Sequence, residues 1–303
     1  KRAIEKGYFP GARIVCASRF ICAAGSHGDL SQGFSKNPEM GEIAQGLRKS
    51  LGSGKDFFVN AVREEIKYGS DFIKIMATGG FFTPNDNPSQ KQLNDEEAKA
   101  IIDTAHEWGK QVTAHVYSDG HIRRLAELGI DGMEHCSLIH EDTAQLLADK
   151  DIYVVPTFCP YEEAVHYDPE LIKTKQPEYR IKLEYYKDAL QAGREVIKNS
   201  NMRLGFGTDM VATHINYESG YEYKAWMDSG MGGFRALHAA TQVNAGICQL
   251  EDKIGTLEKG KLADISGWKR DVLNDPYALM DCAFVMKEGV QYDTEPSPDL
   301  KEL

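Results

Sequence analysis

No segment of this sequence stays apolar over the ~20 residues that a bilayer-spanning helix needs. Residues 1–6 (KRAIEK) lack the apolar core of a secretory signal. They read as the middle of a helix stopped by Gly7, so the natural start, with any targeting signal, is expected upstream. The compartment stays open, with the cytoplasm as the default. Long Lys/Arg runs are missing too, and the formal net charge is −11. A nucleic-acid binder must neutralise phosphates with basic side chains. Neither nucleic acid nor an anionic membrane surface is therefore an expected partner. The six cysteines are scattered without a C-x-x-C pair, against a zinc ribbon or a redox motif. They are expected to serve as small buried hydrophobes. There is no G-x-S-x-G elbow and no phosphate-binding loop. The pair Gly79 and Gly80 reads better as a bend in a loop.

What is present is a core-forming composition, 42% apolar and 27% charged over 303 residues, enough for one large domain and a small one. Strand-like and helix-like segments alternate. Strands are expected at 12–17 (ARIVCA), 72–76 (FIKIM), 111–116 (QVTAHV), 131–135, 152–156 (IYVVP) and 202–207 (MRLGFG). Helices are expected at 55–68, from an Asn94 cap to Trp108, at 119–128, 141–150, 179–199 and 233–245. Six such units imply a parallel sheet. An open doubly wound sheet satisfies the count, and so does a (β/α)8 TIM barrel lacking its first two strand–helix units. The placement of polar residues favours the barrel. After a turn-rich stretch at 252–264, short strands at 263–268 and 283–292 read as part of a small β-sandwich domain. The boundary is set near residue 250, giving 1–250 for the barrel and 251–303 for the small domain.

Four ionisable residues lie near the ends of four different expected strands: Lys74, His115, His135 and Asp209. In a barrel those ends converge on one face, where active sites are built. Alternation within FIKIM sets Phe72, Lys74 and Met76 on one side. A lysine inside a barrel and without a partner would lose its charge, and a neutral amine takes up carbon dioxide to give a carbamate that can bridge two metals. The plain alternative is a lysine at the rim with its ammonium in water. His115 and His135 are one strand–helix step apart, and neutral imidazole is a good zinc ligand. Asp209, in GFGTD, reads either as a cap or as a metal ligand and general base. Tyr117 shares the face of His115 and reads as a substrate contact or a packing tyrosine. His27 and His214 lie in loops and are weaker substrate-binding candidates.

These residues resemble the amidohydrolase superfamily, in the imidazolonepropionase-like branch that includes metal-dependent prolidases, dipeptidases and carboxypeptidases. The motifs that carry the resemblance are FIKIMATGG at 72–80, TAHVY at 113–117, GMEHCSL at 132–138, GFGTD at 205–209 and the run at 236–264. The resemblance implies two divalent metals, with zinc expected, a carboxylated Lys74 between them, His115 and His135 on the exposed metal, and Asp209 on the buried one. It implies hydrolysis of an amide or peptide bond in a small substrate, a dipeptide or N-acyl amino acid, by a metal-bridging hydroxide with Asp209 as general base. One feature of the family is missing. Its first barrel strand carries a His-x-His pair, and none occurs here. The chain is thus expected to be truncated at its N-terminus, and one metal alone is the alternative occupancy. Open sheet edges would invite pairing with another chain, which leaves a homo-oligomer open. A cyclic amidohydrolase of the imidazolonepropionase type, or a non-catalytic metal-binding scaffold, are the competing readings.

Overall fold

The β-rich segments assemble into a six-stranded sheet in which every pairing is parallel. Its strands are β1 (Phe20–Ala23), β2 (Leu51–Gly52), β3 (Ile73–Met76), β4 (Val112–Ser118), β5 (Gly132–Leu138) and β6 (Tyr153–Val155). Their order is β2-β1-β3-β4-β5-β6. This computed structural model describes residues 1–29, 50–161, 177–209 and 220–294. The chain divides into two units. The sheet belongs to the larger one, made of Val15–Pro156 and Tyr161–Leu204. Between α1 (Arg2–Glu5) of the smaller unit and the later helices come α2 (Lys55–Lys67), α3 (Asp95–Glu107), α4 (Asp119–Leu128), α5 (Glu141–Asp149) and α6 (Pro177–Asn199). The fold class is the α/β architecture of the metallo-dependent hydrolase barrels, with six strands described.

Side-chain alternation sorts the sheet into two faces. Register pairs Ile73 with Val112 and Ile75 with Ala114, and Ala114 with Met133. These residues, with Ile21 and Val116, are all buried and apolar. The helices contribute matching stripes, such as Phe58, Ala61 and Val62 of α2 and Ala98, Ile101, Ile102 and Ala105 of α3. The start of α3 is fixed by a complete capping box: the Asn94 side chain accepts from the Glu97 amide, and the Glu97 carboxylate accepts from the Asn94 amide, both at 2.9 Å. Gly129, at φ 90°, ends α4 in the left-handed conformation that glycine adopts without strain. The opposite sheet face carries Phe20, Lys74, Met76, Thr113, His115, Tyr117 and Glu134.

Two expected strands are not strands. Residues 12–17 run without a ladder. The Cys16 amide bonds to the Asp71 carboxylate at 2.8 Å, and the Ser18 amide to the Ser70 hydroxyl at 2.8 Å. Backbone groups satisfied by side chains have no need of a neighbouring strand, so pairing begins only at Phe20. Residues 202–207 give one bridge, Val154 with Leu204. Beyond it, the Asn244 carboxamide takes the place of a ladder, bonding the Phe206 amide at 3.0 Å and the Phe206 carbonyl at 2.8 Å. The cysteine expectation holds in part: all six are unbridged, but only Cys22 and Cys136 are buried, and Cys282 is exposed. Burial pushes the Cys22 thiol up to about 12.

The smaller unit holds Lys1–Ile14, Thr157–Pro160 and Gly205–Leu303. It contains α7 (Gly220–Asp228), α8 (Gly233–His238) and α9 (Asn244–Ile247), with a π-turn at Ala239–Val243 joining the last two. A three-stranded antiparallel sheet follows, β7 (Ile265–Trp268), β8 (Cys282–Lys287) and β9 (Val290–Tyr292). Glu222 is fully buried there, and its carboxylate accepts from the Phe158 and Cys159 amides and the Trp226 indole. No helix among the described residues is long and apolar enough to cross a membrane.

Candidate active site

Strict alternation would turn His135 toward the helices, away from His115. The backbone prevents this. His135 and Cys136 both adopt positive φ, 70° and 51°. Opposite them, the register moves from Val116↔His135 to Ser118↔Leu138, so β5 spends one residue more than β4. This is a β-bulge, and it re-aims a side chain. The result is a contact between two buried rings, His115 Nδ1 to His135 Nε2 at 2.9 Å. Non-glycine residues in this conformation cost about 1–3 kcal/mol each and cluster at functional sites. Asp209 also has positive φ, 48°, within the smaller unit.

Burial holds both histidines well below their usual range. His135, His27 and Lys74 push His115 the same way, and Lys74 and His27 do so for His135. Both are therefore neutral at pH 7. His115 Nε2 faces the Gly79 carbonyl at 3.4 Å, which fixes the proton there and leaves the Nδ1 lone pair turned to His135. The ring of Tyr117 lies parallel to that of His135, with centroids 4.7 Å apart. Its hydroxyl meets that of Tyr161, and it is 1% exposed, so it stands as a wall of the site within a cluster of Phe81, Leu138, Tyr179 and Leu183. On the other side, the ring of His27 stacks on His115 at 4.5 Å.

Lys74 stands apart from this group in one respect. An ammonium without a partner would be expected to lose its charge, but the half-buried Lys74 has one: its Nζ forms an ion pair with Glu134. Glu134 also accepts from the Thr113 hydroxyl at 2.6 Å. These three lie on the same sheet face as His115, and Lys74 and Glu134 line a cleft of about 620 Å³ together with Phe20, Gly28 and Phe72. Sequence reasoning missed Glu134, although it directly precedes His135 and shares the parity of His115 across the ladder. The structure thus gathers His115, His135, His27 and Tyr117, with Lys74 paired beside them. Asp209 falls in the other unit, and His214 lies outside the described residues.

The donor set can be tested against a divalent metal. Two nitrogens on a tetrahedral zinc, each bonded at about 2.0–2.1 Å, stand roughly 3.3 Å apart. The 2.9 Å separation of the two ring nitrogens is close to that bite, both rings are neutral, and the remaining His115 nitrogen has a carbonyl, the usual outer partner of a ligating histidine. The pair fits one metal. Among the described residues, no group of three or more His, Cys, Asp and Glu is arranged to hold one.

Parallel strands that gather polar side chains at one face, with helices covering the other, define the barrel-type α/β class. Within that class the chain belongs to the Amidohydrolase family, whose model matches residues 2–292. It is 26% identical over 291 residues to ochratoxinase from Aspergillus niger, covering 90% of this chain and 58% of that protein. The chain thus spans a little over half the length of this curated relative. A solved Xaa-Pro dipeptidase with methionine bound in its active site superposes with a TM-score of 0.83 at 27% identity, over 96% of this chain and 71% of the other. A prolidase complexed with N-methylphosphonate-L-proline gives 0.82 at 27%, over 97% and 72%.

Proposed function

We propose that the protein is a metal-dependent hydrolase that cleaves the C–N amide bond of a small substrate, a dipeptide or N-acyl amino acid. Family membership supports hydrolysis of amide-type bonds, and the names of the similar structures, a Xaa-Pro dipeptidase and a prolidase, favour small peptides. The observation that carries the reading is the pair of buried, neutral imidazoles whose nitrogens converge to 2.9 Å.

His115 and His135 would hold a divalent metal, with zinc the best match to their nitrogen donors. When bound, such a metal supplies an activated water and polarises the scissile carbonyl. The chain's own residues do the rest. The bulge at His135 presets the bite, and Tyr117 and Phe81 wall off one side of the rings from water. Asp209 is proposed as the general base, a carboxylate that would hold a proton during hydrolysis. Lys74 is proposed as a further ligand through its carbamate. That form is an anion and would be repelled by Glu134, so it requires the ion pair to part.

The pair between Lys74 and Glu134 favours a second occupancy, in which Lys74 remains an ammonium and one metal binds. Counting metal decides between them. The purified full chain, loaded with zinc in bicarbonate buffer, is expected to hold metal and to hydrolyse members of a panel of Xaa-Pro and Xaa-Arg dipeptides and N-acyl amino acids. Two metals per chain, reduced by Lys74→Ala, support the bridging lysine; one metal, unchanged by that substitution, supports the cationic one. A folded chain with neither bound zinc nor turnover would refute the proposal.

A further inference from the structure

The loop between β3 and α3 reaches the His115 ring directly at Gly79 and indirectly through His27, and one distant lysine holds that loop. Lys182, on α6, donates from Nζ to the Gly80 carbonyl at 2.8 Å, to the Thr83 carbonyl at 2.5 Å and to Asp86 Oδ1 at 3.0 Å. An ammonium has three protons to give, and all three go to this loop. The lysine and aspartate side chains are only 12% and 5% exposed, so the pair is little screened.

From the fixed loop, contacts lead to His115. The Gly79 carbonyl faces His115 Nε2 at 3.4 Å. Asp86 Oδ2 bonds His27 Nδ1 at 3.0 Å, and the His27 ring lies on His115 at an interplanar angle of 18°. Gly80 makes room for this stack, since a Cβ there would overlap the His27 ring, and a Cβ at Gly79 would strike the Asn87 backbone. Burial pulls the Asp86 carboxyl up, but its bonds to His27 and Lys182 outweigh this and hold it below the usual range. Asp86 is thus a charged anchor joining the lysine to the imidazole.

We propose that Lys182 and Asp86 are positioning residues: acting through the loop and His27, they set the ring plane and tautomer of His115. Neither touches the imidazole pair, and a charged link between residues 96 apart in sequence has little packing reason to end on a histidine stack. The inference deepens the proposed function, and its consequence for metal binding rests on that reading.

Two measurements on the full chain test it. The first needs no metal. In the 15N spectrum of the imidazoles, His115 should show one tautomer, protonated at Nε2, and Lys182→Met and Asp86→Asn should each convert it to a mixture. A single unchanged tautomer in both variants overturns the proposal. The second is zinc affinity by competition with a chromogenic chelator. Both variants are expected to bind about 10–100-fold more weakly, the usual effect of removing an outer partner of a ligating histidine. Zinc bound by the wild type and equally well by both variants overturns the link to the metal. A wild type that binds no zinc refutes the proposed function, while the tautomer result still decides the positioning role. Should Lys182→Met fail to fold, Gly80→Ala displaces His27 without removing a charge and is expected to give the same two changes.

Discussion

The two faces of the central sheet are built from the same two-to-seven-residue strands, yet they follow opposite rules. One face presents Ile73, Ile75, Val112, Ala114, Val116 and Met133, all at most 1% exposed and all apolar. The other presents Lys74, Thr113, His115, Tyr117 and Glu134, which are linked by an ion pair, hydrogen bonds and stacked rings. Burial on the first face gains free energy with each methylene. Burial on the second costs free energy unless each polar group finds a partner. A sheet that accepts such a cost on one face, and adds a strained bulge to turn His135 inward, holds its stability and its chemistry on opposite sides.

The sharpest way to break this contrast is to remove one imidazole. His135→Ala should weaken zinc binding by more than about a hundredfold, since even outer partners are worth about 10–100-fold. It should leave the metal-free chain folded but with a lower unfolding midpoint, because alanine keeps the positive φ of residue 135 and the lost ring leaves a void against Tyr117. A variant that keeps zinc, or that unfolds, would place His135 among the structural residues instead.

The next largest effect is on pH. Burial depresses both His115 and His135, so the folded chain keeps them neutral while the unfolded chain takes up protons below about pH 6.5. Their contribution is therefore complete above that pH and is lost as the pH falls through it, toward the lower folded values. The slope is at most about 1.4 kcal/mol per pH unit for each ring. Urea unfolding of the metal-free protein at pH 7.5, 6.5 and 5.5 should show most of the loss in the last step, and a His115→Ala, His135→Ala double variant should flatten it. Equal loss in both proteins would assign the acid sensitivity to other groups.

How much of this was legible in the sequence follows from the distance over which each feature is specified. Local patterns were readable. The Asn94 cap, the helix ends at Gly109 and Gly129, and four of the six expected strands follow from residues close together in the chain. Alternation within FIKIM placed Lys74 correctly with respect to Ile73 and Ile75. The strand expected at 12–17 failed because its backbone partners are the side chains of Ser70 and Asp71, more than 50 residues away. The partner of Lys74 was missed for the same reason, 60 residues away across two strands. His135 was singled out as a candidate, but nothing in GMEHCSL announces the bulge that aims it. Asp86 and Lys182 carried no local signal at all, since neither sits in a motif.

Two small substitutions complete the contrast, one on each face. Ile75→Val removes a single methylene from the apolar face. It should cost about 0.5–1.5 kcal/mol, read as a lower urea midpoint, with zinc affinity unchanged in the folded protein. Tyr117→Phe removes a single oxygen from the other face. The ring remains stacked on His135, and the hydroxyl contact with Tyr161 is lost. One neutral hydrogen bond contributes about 0.5–1.5 kcal/mol net, so the change in midpoint should be comparable to that of Ile75→Val. The informative readout is turnover. Tyr117 was read as a substrate contact or a packing tyrosine, and its 1% exposure puts the hydroxyl against Tyr161 and away from solvent. If it is only a wall, KM for a dipeptide should stay within about twofold of the wild type. A rise in KM of tenfold or more, about 1.4 kcal/mol, with the fold and zinc affinity intact, would show that Tyr117 turns from Tyr161 to the substrate, and that the aromatic side of the site opens when one binds.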